Sequence, residues 1–85
     1  MRLDKYLKVS RLIKRRTLAK EASEAERILV NGLVAKPSKE LKVGDHITIT
    51  YGKKIVEIEV TSLIDSTKKQ DAQLMYELVC EKQVN

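Results

Sequence analysis

The sequence predicts an α+β domain in which two N-terminal helices pack on a small antiparallel sheet, with a further helix at the C-terminus. Three observations predict it. Apolar residues recur at helical spacing as far as residue 25, the period then changes to two, and helical spacing returns after residue 67. Eighty-five residues make one small domain with a thin core. The 42% of hydrophobic residues include no Phe or Trp, so that core is built of Leu, Ile, Val and Ala.

Leu3, Tyr6, Leu7 and Ser10 share one face, with Lys5 and Lys8 on the other, which predicts a helix over 3–10. A second helix is predicted over 15–25. At 100° per residue its core stripe is Leu18, Ala22 and Ala25, and Arg16 and Lys20 are neighbours on the opposite side. Ile28–Val30 and residues 33–36 flank Asn31-Gly32, the pair a type I′ hairpin turn prefers because both central residues need positive φ. After a loop with Pro37 and Ser38 and the Gly44-Asp45 turn, His46–Tyr51 alternates, with Ile47, Ile49 and Tyr51 on one face. Gly52-Lys53-Lys54 turns the chain into a strand over 55–61, Val56, Ile58 and Val60 inward and Glu57 and Glu59 outward. Thr67-Lys68-Lys69-Gln70 matches a capping box and predicts a helix to about Val79, docked through Ala72, Met75, Leu78 and Val79. The expected division is a helix-and-sheet unit at 1–64 and a C-terminal helix with a short tail at 65–85.

Composition excludes several functions. A single cysteine makes no internal disulfide, and one His with one Cys falls short of the roughly four ligands of a structural zinc site, so no metal or cofactor is expected. No apolar run approaches the ~20 residues of a membrane span and no signal-peptide core is present, so the expected setting is cytoplasmic, with no membrane partner. The net charge of +5 conceals a polarity. Residues 1–20 hold eight basic side chains against Asp4 alone, a balance of +7, and the rest of the chain carries nine basic and eleven acidic groups. An excess confined to one end points to a polyanion.

The candidate binding residues are therefore Arg2, Lys5, Lys8, Arg11, Lys14, Arg15, Arg16 and Lys20. Lys14, Arg15 and Arg16 crowd the start of the second predicted helix, where the macrodipole disfavours cations by roughly 0.3–1 kcal/mol each and no capping residue immediately precedes. That placement opposes stability and suits a phosphate, which takes both the free N–H groups and the guanidinium forks. Asp4 is the candidate for orienting these cations, and beside that stands a structural reading, in which it caps the first helix or pairs with a nearby Arg. The expected ligand is a phosphate backbone lying along a concave edge between the two helices and the Asn31-Gly32 hairpin. With three tyrosines as the sole aromatics, recognition of RNA shape is expected over stacking on splayed bases. His46 beside Asp45 lacks a patterned nucleophile and reads as a strand-entry residue. Cys80 lacks the surroundings of a low-pKa thiol. No catalytic residue is expected, and Arg27 lies outside the basic cluster.

Arg2-Leu3-Asp4-Lys5-Tyr6-Leu7, Arg16-Thr17-Leu18-Ala19, Ile28-Leu29-Val30-Asn31-Gly32, Lys36-Pro37-Ser38 and Gly44-Asp45 together resemble the αL RNA-binding motif, the domain named after small-subunit ribosomal protein four. The remainder, with Asp71-Ala72-Gln73-Leu74-Met75-Tyr76-Glu77, is similar to the short stand-alone branch that contains the ribosome-associated fifteen-kilodalton heat-shock protein. Met1–Lys20 is most similar to the bacterial ribosome quality-control members. The resemblance implies a non-enzymatic, monomeric factor for large ribosomal subunits obstructed by peptidyl-tRNA. It implies contacts with large-subunit rRNA and P-site tRNA through the basic residues of the two helices. It also implies support of RqcH, which brings alanyl-tRNA, in adding a C-terminal alanine tail to the stalled chain. The alternatives are a heat-shock-type factor that recycles such subunits without tailing, and a nonspecific nucleic-acid-binding protein. Glu26 stands where the family usually has Gly, and Arg15 where it often has Ser or Thr.

Overall fold

In the computed structural model, which describes residues 1–65 and 68–83, two helices lead into an antiparallel sheet. The helices are α1 (Leu3–Val9) and α2 (Arg16–Glu24). The strands are β1 (Ile28–Val30), β2 (Leu33–Val34), β3 (His46–Tyr51), β4 (Lys54–Val60) and β5 (Tyr76–Gln83), with a short helix α3 (Lys69–Ala72) before the last. All neighbours are antiparallel and the spatial order is β2-β1-β3-β4-β5.

The hairpin forms as its residues require. Asn31 and Gly32 sit at φ +52° and +82°, and Leu29 and Val30 pair with Val34 and Leu33. Asn31 does more than turn. Its backbone N–H donates to the His46 carbonyl (2.7 Å), its side-chain oxygen accepts from the His46 N–H (2.9 Å), and its amide donates to Asp45 (3.1 Å). The hairpin is thereby fixed to the start of β3. One face of the sheet supplies Ile28, Val30, Ile47, Ile49, Val56, Ile58 and Val60, which bury against Leu3, Tyr6 and Leu7 of α1 and Ala19 of α2. Tyr6 carries its hydroxyl into this core and donates it to the Met75 carbonyl (2.6 Å), tying α1 to the turn before β5.

Two expectations are corrected. The stripe of α2 is not Leu18, Ala22 and Ala25: Ala19 and Ser23 are buried, Ala22 is half-buried, Ala25 is exposed and Leu18 is 45% exposed. The helix is turned by roughly a quarter revolution from the expected face. Hydrophobicity favoured Leu18, but a close α1–α2 contact needs the small residues, and Ser23 is accepted there with its Oγ buried and unpartnered.

The C-terminal helix is also corrected. Helix is confined to Lys69–Ala72, and Tyr76–Gln83 is a strand along β4, from Val60↔Tyr76 to Lys54↔Gln83, with an irregularity between Glu57 and Ile58. Thr67, the expected cap, lies outside the described residues, and Lys68 at the N-cap makes no side-chain cap bond. The spacing of Ala72, Met75, Leu78 and Val79 fits a helix. However, β4 without β5 would present a row of unpaired backbone groups, and pairing satisfies them. Tertiary hydrogen bonding overrides a short helical pattern here.

Candidate nucleic-acid interface

The start of α1 is held by backbone rather than by a cap. The Leu3 and Asp4 N–H groups donate to the carbonyls of Lys39 (2.8 Å) and Pro37 (3.1 Å), and the terminal ammonium pairs with Glu40 (3.1 Å). The loop after β2 therefore fixes Arg2 and Asp4 in space.

Asp4 is the centre of the site. Its side chain is only 4% exposed, yet it faces two guanidinium groups: Arg2 Nη2 lies 3.2 Å from Oδ2, and Arg16 brings Nε to Oδ2 and Nη2 to Oδ1, each at 3.4 Å. Its Oδ1 also accepts the Lys5 N–H (2.8 Å). Pairing with a nearby arginine, one of the readings of Asp4, is present twice over, and no side chain caps the start of α1. One buried carboxylate aligns an arginine from each side of the α1–α2 junction while both remain about half exposed, so their outer N–H groups face solvent. Arg15 occupies the N-cap of α2 with no side-chain cap bond, as expected, so the positive helix end carries Arg15 and Arg16 uncompensated by any acid in its first turn.

The eight expected cations divide into groups. Arg2 and Arg16 converge on Asp4, and Lys8 lies one turn beyond Asp4 on the same side of α1. Lys8, Lys14 and Arg15 are exposed and have no ion-pair partner among the described residues. Lys5 is engaged by Asp65 (2.7 Å) and Lys20 lies 3.9 Å from Glu24. Arg11, held at φ +63° where α1 ends, lines a different groove beside β4 and β5. Arg27 lines a groove together with Lys14, so it is not remote from the cluster. Lys54 is ion-paired with Glu81.

Two cations were not anticipated. Lys36 and Lys39 line a shallow groove of about 380 Å³ with Asn31 and Ser38, on the loop that holds α1. Lys36-Pro37-Ser38 was visible as a motif, but only the packing of that loop under Leu3 and Asp4 brings its lysines to the same edge as Arg2. On the opposite face His46 is bracketed by both strand glutamates, Nδ1 at 2.9 Å from Glu57 and Nε2 at 3.3 Å from Glu59. The hydrogen bond its ring donates to Glu57 is the main cause holding its pKa above the usual value, and the charges of Glu57 and Glu59 add to it. Both ring nitrogens are thus taken by carboxylates. Among the described residues no group of three or more His, Cys, Asp or Glu is arranged to hold a metal, and no helix is long and apolar enough to cross a membrane.

An acid-aligned cationic edge on two short helices, carried by an antiparallel sheet, defines a small polyanion-binding module. The S4 domain family matches residues 1–47. A Streptococcus pneumoniae protein named RQC P-site tRNA stabilizing factor is 56% identical over 99% of this chain and 96% of its own length. Its Bacillus subtilis namesake is 52% identical over 99% and 98%. The trimeric structure of Vibrio cholerae heat shock protein 15 superposes with a TM-score of 0.86 at 34% identity, over 93% of this chain and 81% of that one. This chain belongs to the S4-domain family and, within it, to the group of the RQC P-site tRNA stabilizing factors.

Proposed function

We propose that the protein is a non-enzymatic, monomeric, cytoplasmic ribosome quality-control factor. It binds large ribosomal subunits obstructed by peptidyl-tRNA, contacts rRNA and the P-site tRNA, and supports RqcH-dependent alanine tailing of the stalled chain. The observation that carries the reading is the pair of arginines aligned by buried Asp4 at the uncapped start of α2. The near full-length identity to relatives named for P-site tRNA stabilization supports it. The contact surface is Arg2, Lys8, Lys14, Arg15 and Arg16, with Lys36 and Lys39 at its edge. Lys5, Arg11 and Lys20 lie at its margins.

Catalysis is not required of such a factor. Guanidinium forks aligned in advance meet phosphates bidentately and lose little freedom on binding. Arg16→Ala removes a charge-assisted contact worth about 1.5–3 kcal/mol, so association with tRNA-bearing large subunits falls roughly ten- to a hundredfold and tailing falls with it. Stability changes by less than about 1 kcal/mol, because Arg2 remains on Asp4 and Arg16 is half exposed. Lys82→Ala, on exposed β5, is the charge-matched control. Co-sedimentation with large subunits, alanine tails on a stalled reporter and thermal unfolding read the three effects. Normal sedimentation of folded Arg16→Ala would overturn the surface; normal sedimentation of wild type with no effect of its removal on tails would favour subunit recycling without tailing.

A further inference from the structure

Two of the three tyrosines, Tyr51 and Tyr76, distant in sequence, line one groove. Tyr51, at the end of β3, donates its hydroxyl to the Leu12 carbonyl (2.6 Å) in the loop between α1 and α2. Tyr76 opens β5 and packs against the buried cluster that contains Tyr6. Burial pushes ionisation of the Tyr51 phenol up to about 12. Tyr51 and Tyr76 line a groove of about 520 Å³ with Arg11, Leu78, Lys54 and Glu81. Leu78 pairs with buried Ile58 and so faces the core side of the sheet, yet it is 54% exposed. The helices leave this end of the face uncovered. Leu12 and Tyr51 also line the adjoining groove, where Lys14 and half-exposed Leu18 sit. An apolar, aromatic trough thus runs past Tyr51 between two cations, Arg11 and Lys14, that belong to the loop carrying the basic surface.

We propose that this trough holds an unpaired nucleobase of the bound RNA against Tyr51 and Tyr76, with Arg11 and Lys14 meeting the phosphates on either side of it. The assignment rests on the RNA-binding reading above and adds to it a preference for RNA with unstacked nucleotides. Its composition is the reason. Rings offer a stacking surface to any base, cations at the flanks match the charge of a backbone entering and leaving, and the volume lies within the range of about 300–1,000 Å³ found for small-ligand sites. At the far end, Lys54 and Glu81 neutralise each other, while Lys14, exposed and without an ion-pair partner among the described residues, puts positive charge on the side next to the phosphate surface. That one-sided charge favours a nucleotide over an acidic peptide lying along the trough.

The test compares the full-length protein on an RNA duplex and on the same duplex interrupted by unpaired nucleotides. Wild type prefers the interrupted RNA. Tyr51→Leu loses that preference, about five- to a hundredfold in affinity, as expected for one base stacked on an aromatic ring. Tyr51→Phe, which keeps the ring, retains most of it. Ultraviolet crosslinking of the wild type to the interrupted RNA, mapped by mass spectrometry, places adducts on Tyr51 or Tyr76 and needs no folded variant. Equal wild-type affinity for the two RNAs, or adducts confined to other residues, overturns the base site and leaves the phosphate surface standing. Wild type binding neither RNA overturns the RNA reading itself. A Tyr51→Leu defect on large subunits with no defect on naked RNA makes the trough a protein contact and overturns the nucleotide assignment.

Discussion

Glu26 shows what a single residue costs this fold. α2 ends in a Schellman motif: the Glu26 N–H donates to the Ser23 carbonyl (3.1 Å) and the Arg27 N–H to that of Ala22 (3.0 Å), which requires Glu26 at φ +61°. A side chain in the left-handed region costs roughly 1–2 kcal/mol, part of which glycine would return as unfolded-state entropy. Glu26→Gly should therefore raise stability by about 0.5–1 kcal/mol, seen as a rise of a few degrees in the thermal midpoint; an unchanged or lower midpoint would show that the turn is not strained. Gly, which adopts this φ without steric cost, suits the same geometry. His46 makes a pH-dependent prediction. Its pKa is raised in the fold by Glu57 and Glu59, so folding binds protons. The resulting stabilisation is complete below the unfolded value of about 6.5 and is lost as pH rises through the raised folded value. His46→Gln should lower the midpoint at about pH 6 and much less at about pH 9; an equal difference at the two pH values would remove the pair from the account.

At the scale of the element, α2 is positioned by size rather than by hydrophobicity. Ala19 is fully buried and Leu18 is not, so Ala19→Leu should overpack the helix contact and cost about 1–3 kcal/mol. Leu18→Ala should change stability by no more than about 0.5 kcal/mol. Denaturant unfolding of the two variants decides between the observed face and the one the hydrophobic stripe suggested; the reverse ranking would restore Leu18 to the core. Strand β5 carries the complementary lesson. Its eight residues contain enough Tyr, Val and Cys to accept an extended backbone, but only the open edge of β4 required it.

At the scale of the molecule the charge is divided. Cations of the α1–α2 junction and the loop after β2 occupy one edge, while His46, Glu57, Glu59 and Glu77 line the outer face of the sheet, through the register pairs His46↔Glu59 and Glu59↔Glu77. A polyanion is attracted to the first and repelled by the second, which sets orientation before contact. With Lys5 and Lys20 engaged by acids and Arg11 lining the groove beside β4 and β5, five cations of the basic cluster remain for the phosphate surface at the α1–α2 junction: Arg2, Lys8, Lys14, Arg15 and Arg16. The logarithm of the RNA-binding constant should then fall with the logarithm of salt concentration at a slope on the order of −3.5 to −4.5, measured by titration at several salt concentrations. A flat response would exclude phosphate contacts as the source of affinity.

The α+β class, the two leading helices, the Asn31-Gly32 turn, the β3–β4 ladder and the basic character of the first twenty residues are legible in the amino-acid order alone. These features are local: a period, a turn dipeptide needing positive φ, a count of charges. The remaining features are non-local and follow from packing and strand pairing. Which face of α2 is buried depended on how closely α1 approaches Ala19, and the strand at 76–83 depended on the free edge of β4. Asp4 pairs with both Arg2 and Arg16, fourteen positions apart, because the α1–α2 junction closes them on one buried carboxylate. Tyr51 and Tyr76 became one surface because β5 returns beside β4, whose hairpin partner β3 ends at Tyr51. Local pattern specifies elements; the contacts that make a site join residues whose separation along the chain carries no periodic signal.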